Sequence, residues 1–153
     1  MKKIWIIHNS RFGNSENIAK LLANRLKDSY DTNVSSIKNI SPEDIAREEP
    51  YGMIFAVRIL SFMSDRKIRS FISKMDKELT KPISKVAYFS THAMNWREGF
   101  IKGMKRTLDK ISCVGEICPE YLNVRVQGNK GPVVEGSDLK IGEFISTLKE
   151  FLK

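Results

Sequence analysis

The chain of 153 residues alternates short apolar runs with longer segments in which apolar residues recur every three or four positions. Lys3 to His8 (Lys-Ile-Trp-Ile-Ile-His) is one such run, rich in β-branched side chains, and has the pattern of a strand buried on both faces. After Gly13-Asn14, residues Ile18, Leu21, Leu22 and Leu26 fall on one face of a helix that ends near Ser29-Tyr30. A short strand is predicted from Asn33 to Ile37. Ser41 suits an N-cap and Pro42 the first position of a short second helix. Gly52 to Val57 predicts a third strand, with Ile68, Phe71, Ile72 and Met75 marking the helix that packs on the sheet after it. Lys85 to Phe89, followed by Phe100, Ile101, Met104 and Leu108, repeats the unit. Ile111 to Ile117 supplies a fifth strand, and Ile141, Phe144, Ile145, Leu148, Phe151 and Leu152 supply a closing helix.

Strands that alternate regularly with helices imply an α/β fold: a parallel sheet covered on both faces, joined by right-handed crossovers, in one domain over residues 1–153. Such sheets bind ligands outside the carboxyl ends of their strands, where the strand order reverses. The segments after the first, third and fourth strands are therefore the places to look. Cys118 to Ser137 is longer than a compact domain usually leaves without structure. Tyr121 to Val126 can form a small extra strand there; alternatively the segment is a substrate or partner loop over a bound ligand.

Composition narrows the class. The chain is 41% hydrophobic and 29% charged, which excludes disordered and fibrous classes. Its longest apolar runs are strand-sized, short of the roughly 20 residues that a membrane span needs. Lys2-Lys3 precede an apolar stretch, but His8-Asn9-Ser10 ends it without a signal-peptide cleavage site, so a cytoplasmic location is expected. Cys113 and Cys118, five positions apart, would lie on opposite faces of a strand about 16 Å apart, too far for a disulfide. His8 and His92 have no nearby thiols, which leaves no zinc spacing. The formal net charge is +8, and the excess is confined to Arg58–Lys110, where thirteen Lys and Arg stand against five Asp and Glu.

The segment Asn9-Ser10-Arg11-Phe12-Gly13-Asn14-Ser15-Glu16 joins a buried strand directly to a helix start. A phosphate there can accept hydrogen bonds from Ser10, Asn14, Ser15 and backbone N–H groups at the positive end of the helix dipole. Gly13 permits close backbone approach and Arg11 adds charge; an ordinary capped polar turn fits the same residues equally well. Neither the Walker pattern nor the Gly-rich dinucleotide fingerprint is present. The segment after the third strand, Arg58-Ile59-Leu60-Ser61-Phe62-Met63-Ser64, is apolar enough to cover a ring face or simply to cap the core, with Arg58 at the strand end. After the fourth strand comes Ser90-Thr91-His92-Ala93-Met94-Asn95-Trp96-Arg97. Trp96 there suits either ring stacking or a helix-start staple, and a lone His92 is more often an ordinary surface residue.

Ser10-Arg11-Phe12-Gly13-Asn14-Ser15-Glu16 resembles the FMN-phosphate loop of the flavodoxins, Ser/Thr-x-Thr-Gly-Asn-Thr-Glu. Ser10, Gly13, Asn14 and Glu16 match, Ser15 is conservative, and Phe12 replaces the usual Thr. The resemblance extends along the chain in the order of strands and in the placement of these loops, including a Gly131-Pro132 turn and Ser137-Asp138-Leu139 before the last helix. It implies a flavodoxin-like three-layer sandwich with a five-stranded parallel sheet of order 2-1-3-4-5 and FMN at the switch point, the placement for which flavodoxin is itself the standard example. It also implies that Ser10, Arg11, Phe12, Gly13, Asn14 and Ser15 hold the phosphate. Arg58, Ile59 and Leu60 would then flank the flavin on one side, and Ser90, Thr91, His92 and Trp96 on the other. Arg58 is placed to stabilise a reduced, anionic flavin, and Ser90, Thr91 and His92 to hydrogen-bond its polar edge.

FMN binding suits a low-potential one-electron carrier or a small FMN-dependent oxidoreductase acting on an anionic substrate or a quinone, because the cofactor supplies the redox chemistry and the protein tunes potential and access. No catalytic triad or carboxylate pair is visible, and a carrier asks less of this sequence. Typical flavodoxins are acidic, whereas here the middle third is basic, which points to an acidic redox partner or an anionic small molecule. Arg58-Ile59 and the basic residues that follow also resemble flavodoxin-like protoporphyrinogen oxidases, whose substrates are carboxylated. The alternative of another class is a flavin-free binding module using Arg66, Lys67, Arg69, Arg97, Lys102, Lys105, Arg106 and Lys110. With no aromatic platform among them, a solvated helix face explains these charges better than nucleic acid does. A receiver domain is excluded, since the strand ends offer neither an acidic magnesium cluster nor a phosphorylatable Asp.

Overall fold

A computed structural model describes residues 1–11, 13–60, 63–92, 106–109, 114–127, 132–133 and 135–153, with the backbone alone at 58–60, 63 and 64. Its elements are β1 (Lys3–His8), α1 (Asn14–Leu26), β2 (Asp31–Ser36), α2 (Pro42–Glu48), β3 (Gly52–Leu60), β4 (Met63–Ser64), α3 (Arg66–Glu78), β5 (Ile83–His92), β6 (Val114–Ile117), β7 (Leu122–Arg125) and α4 (Ser137–Leu152). Residues 106–109 are helical. No helix among the described residues is long and apolar enough to cross a membrane.

The sheet runs β2-β1-β3-β5-β6 through parallel pairings, with Ile6 beside both Val34 and Ile54, and Ile54 beside Ala87. β7 also pairs with β5 in parallel, further along it. Counting β6 and β7 as one position gives the expected order 2-1-3-4-5. The fifth position is thus filled by two short strands: β6 lies against Ile83–Val86 and β7 against Phe89–His92. The small strand expected at Tyr121 to Val126 is therefore the upper half of the fifth position. β4 folds back on β3 as a short antiparallel pair.

Alternation along the buried strands divides the core into two layers. Ile7, Phe55, Val57, Val86 and Tyr88 face Ile45 of α2, Ile68, Phe71, Ile72 and Met75 of α3, and Leu108. Ile4, Ile6, Ile54, Ala56, Ala87 and Phe89 face Ile18 and Leu22 of α1 and Ile141, Phe144, Ile145 and Leu148 of α4. Each fully buried Val, Leu, Ile, Met or Phe side chain among these contributes about 2 kcal/mol relative to exposure. The three layers follow from the period of two in the strands and 3.6 in the helices. β2, at the edge and with the polar sequence Asp-Thr-Asn-Val-Ser-Ser, is half-buried or exposed throughout.

The expected Ser41 cap is present as a full capping box: the Asp44 N–H donates to Ser41 Oγ and the Ser41 N–H donates to Asp44 Oδ2. Cys118 carries a buried free thiol whose pKa burial pushes up; Cys113 lies outside the described residues. So does most of the helix expected from Phe100 to Leu108, of which Leu108 is described and buried.

Candidate functional site

The carboxyl ends of β1, β3 and β5 converge on one edge of the sheet, and the polar residues there are largely buried. β1 ends at His8, and the chain turns through Asn9, Ser10 and Arg11 into α1. Gly13 sits at φ 94° before the helix, a left-handed conformation that a residue without Cβ adopts freely. Its N–H donates to Ser10 Oγ at 3.0 Å, and its carbonyl accepts from the Asn17 N–H at 2.9 Å. No side chain among the described residues caps α1. Its first-turn N–H groups and the positive end of its dipole therefore face the edge without a side-chain acceptor, which is the donor set an anion requires.

α3 begins differently. Asp65, 2% exposed, caps it by accepting the Lys67 N–H on Oδ1 at 2.9 Å. Its Oδ2 accepts from Asn9 Nδ2 at 2.8 Å, in a buried bond between residues 56 positions apart. Asn9 leads to α1 on one face and Asp65 leads to α3 on the other, so this bond bridges the point where the chain changes faces. His8 Nδ1 accepts the Ser10 N–H at 3.2 Å. Burial lowers the pKa of His8; Glu16 acts against that shift and Lys20 with it. An acceptor role at Nδ1 and a lowered pKa both favour neutral imidazole.

The residues proposed from the sequence divide into three groups. Ser10, Gly13, Asn14 and Ser15 are brought together at the start of α1, with Arg11 exposed beside them. The Ser15 hydroxyl, however, is buried and shares a hydrogen bond of 3.2 Å with Thr91, tying α1 to β5. A phosphate at this turn would be held mainly by backbone N–H groups. Ser90, Thr91 and His92, expected in a loop, instead form the last three residues of β5 and are buried. Their polar groups allow this because they are matched: Ser90 donates to Asn123 Oδ1 and Thr91 meets Ser15. Arg58, Ile59 and Leu60 likewise continue β3, Arg58 opposite Thr91, and Ile59 and Leu60 opposite Ser64 and Met63. Their side chains, and the whole of Phe12 and Trp96, lie outside the described residues.

Asn9, Asp65 and Asn123 did not stand out in the sequence. Asp65 carried a signal, an Asp immediately before the apolar period of Ile68, Phe71, Ile72 and Met75. The partnership with Asn9 has no sequence signal.

No protein-family model matches this chain, and no curated protein matches it either. Among solved structures, it is similar to oxidised flavodoxin 2 from Bacillus cereus, with 18% identity and a TM-score of 0.75 over 97% of this chain and 98% of that one. Oxidised flavodoxin 1 from the same organism gives 15% identity and a TM-score of 0.74 over 99% of this chain and 100% of that one. Rubredoxin oxygen:oxidoreductase from Desulfovibrio gigas gives 13% identity and a TM-score of 0.73 over 99% of this chain, which spans 36% of that protein. The chain has the flavodoxin-like fold.

Proposed function

We propose that the chain, as a single cytoplasmic domain, binds one FMN at the carboxyl edge of its sheet and serves as an electron carrier. The supporting observation is the start of α1. A segment matching the flavodoxin phosphate loop at Ser10, Gly13, Asn14 and Glu16 leads there into a helix whose first-turn donors have no side-chain cap among the described residues. The donor set fits a phosphomonoester: backbone N–H groups, the helix dipole, and Arg11 exposed nearby. The Ser10 hydroxyl accepts from Gly13 and holds the turn in shape. The Ser15–Thr91 bond fixes that turn against β5, and the Asn9–Asp65 bond fixes it against the entry to α3.

FMN, when bound, supplies the one- and two-electron chemistry. The start of α1 would hold its phosphate, and Arg58, Ile59 and Leu60 at the end of β3, with His92 at the end of β5 and Trp96 after it, would flank its ring. Partner choice follows charge. Arg66 and Lys67 are exposed at the entry to α3, and Lys74 and Lys77 are exposed further along it, positive charge that suits an acidic redox protein. A second reading, a small FMN-dependent oxidoreductase acting on an anionic substrate, draws on the same positive charge.

Titration of the apoprotein with FMN tests the proposal. Quenching of flavin fluorescence at one equivalent is expected, with Gly13→Val lowering the affinity at least tenfold. A protein that leaves FMN fluorescence unchanged would refute it. The acidic partner is checked by ionic strength: the rate of electron transfer to an acidic acceptor should fall steeply between low and physiological salt.

A further inference from the structure

His8 closes β1 and shares the side of that strand on which Ile4 and Ile6 pack against α1. It is 5% exposed, and its imidazole is turned back into the chain that follows. Nδ1 accepts the Ser10 N–H at 3.2 Å, Ser10 Oγ accepts the Gly13 N–H at 3.0 Å, and the Gly13 carbonyl accepts the Asn17 N–H at 2.9 Å. The three bonds form one chain from the end of the strand into α1. Its second and third acceptors, a hydroxyl and a carbonyl, keep their lone pairs at any physiological pH, whereas an imidazole nitrogen gives up its lone pair to a proton at about pH 6.5.

The first link matters because no side chain among the described residues caps α1, so the aim of its first-turn N–H groups depends on the turn alone. A protonated imidazole sets an N–H against the Ser10 N–H. That bond is then lost, and Ser10 is no longer held where its hydroxyl meets Gly13. The added charge does not replace the lost shape, because it has a nearer partner than a bound phosphate. Two charged side chains of α1 act on His8: Glu16 favours the cation and Lys20 opposes it, both against a larger effect of burial. Glu16 is half-buried and pairs with Lys20 at 3.2 Å. Among the described side chains the neighbouring strands add no charge beside His8. Ser36 is its partner on β2, and on β3 Phe55, the partner of Ile7, is followed by Ala56 and Val57.

We propose that His8 is a positioning residue for the phosphate turn: its neutral imidazole fixes Ser10, and a proton taken up at Nδ1 unlocks the turn and weakens phosphate binding. The inference rests on the FMN reading for its ligand but not for the turn, which is held in the same way without one. Binding and protonation are then linked. The turn that receives phosphate requires the neutral imidazole, so affinity is constant above the ordinary histidine range and falls as the pH drops through it, by at most about tenfold per pH unit.

The test compares the wild type with His8→Asn, whose side-chain oxygen can accept from Ser10 in place of Nδ1 and does not titrate, and with His8→Leu, which has no acceptor. Two-dimensional amide NMR of the full chain without FMN, between pH 7.5 and 5.5, reads the turn itself. The Ser10 and Gly13 signals of the wild type should move with the His8 imidazole, and those of His8→Asn should stay in place. Fluorescence titration with FMN over the same range reads the ligand. Because the FMN phosphate takes up its own proton at about pH 6, the difference between proteins is the observable. The wild-type dissociation constant should rise at least threefold more than that of His8→Asn between pH 7.5 and 5.5. At pH 7.5 His8→Leu should bind FMN at least fivefold more weakly than His8→Asn. Circular dichroism checks folding, and the wild type and His8→Asn carry the test if His8→Leu does not fold. Ser10 and Gly13 signals indifferent to the His8 titration, parallel pH profiles in the wild type and His8→Asn, or equal binding by the two folded variants would overturn the proposal. A wild type that binds no FMN at pH 7.5 would refute the flavin reading instead, and the spectra recorded without FMN would still decide whether His8 holds the turn.

Discussion

The starts of α1 and α3 lie at the same edge of the sheet, on opposite faces, and are finished in opposite ways. α3 is closed by its own carboxylate: Asp65 satisfies a first-turn donor and is itself held by Asn9. α1 starts from a left-handed glycine with no side-chain cap among the described residues. A protein that sought only stability would cap both, since a good N-cap contributes about 1 kcal/mol. The contrast separates a helix start committed to the fold from one that, on the proposed function, is left open for a phosphate, and substitutions at each should fail in different ways.

The largest effect is expected at the closed start. Asp65→Ala removes a cap and leaves the buried Asn9 amide without this acceptor, for a combined loss of about 3 kcal/mol in urea unfolding. Ser41→Ala removes a cap at an exposed site on α2 and should cost about 1 kcal/mol. Equal losses at the two positions would mean that the Asn9–Asp65 bond adds nothing.

At the open start the loss should fall on binding more than on stability. A Cβ at Gly13 has room, its nearest neighbour being Asn17 Nδ2 at 4.0 Å, so Gly13→Ala should destabilise by about 1 kcal/mol through its backbone conformation alone. FMN affinity should fall at least tenfold in the same variant. Excess FMN should raise the unfolding midpoint of the wild type far more than that of Gly13→Ala.

The smallest effect concerns His8. Because burial holds its folded-state pKa below the ordinary 6.5, stability is complete above about pH 6.5. Below that value the unfolded chain takes up the proton first. Stability then declines until the pH passes the folded-state pKa, with a slope of at most about 1.4 kcal/mol per pH unit from this one group. Urea unfolding at pH 7.5, 6.5 and 5.5 should show a shallower decline in His8→Gln than in the wild type.

The same contrast explains what the sequence discloses. β1 and the start of β3 are continuous apolar runs because they are buried on both faces, and the helices show their buried faces by spacing at three and four. The turn into α1 is legible because its chemistry lies in consecutive residues, Ser10 to Glu16. The ends of β3 and β5 are not. Ser90, Thr91 and His92 look like a loop because they are polar, yet they extend the strand because partners on β7 and α1 satisfy Ser90 and Thr91. Those partners are 33 and 76 positions away, and no local pattern announces them. The Asn9–Asp65 bridge is hidden for the same reason.

The division of the fifth sheet position into β6 and β7 bears on how copies of the chain meet. An outer strand is a template on which another molecule can add its own backbone, and a long, flat, apolar one invites amyloid-like stacking. Here that border is cut into two pieces of four residues each, with a step at Pro119 between them. An incoming strand that matched β6 would lose its register before reaching β7. The interruption thus guards the domain against edge-to-edge aggregation.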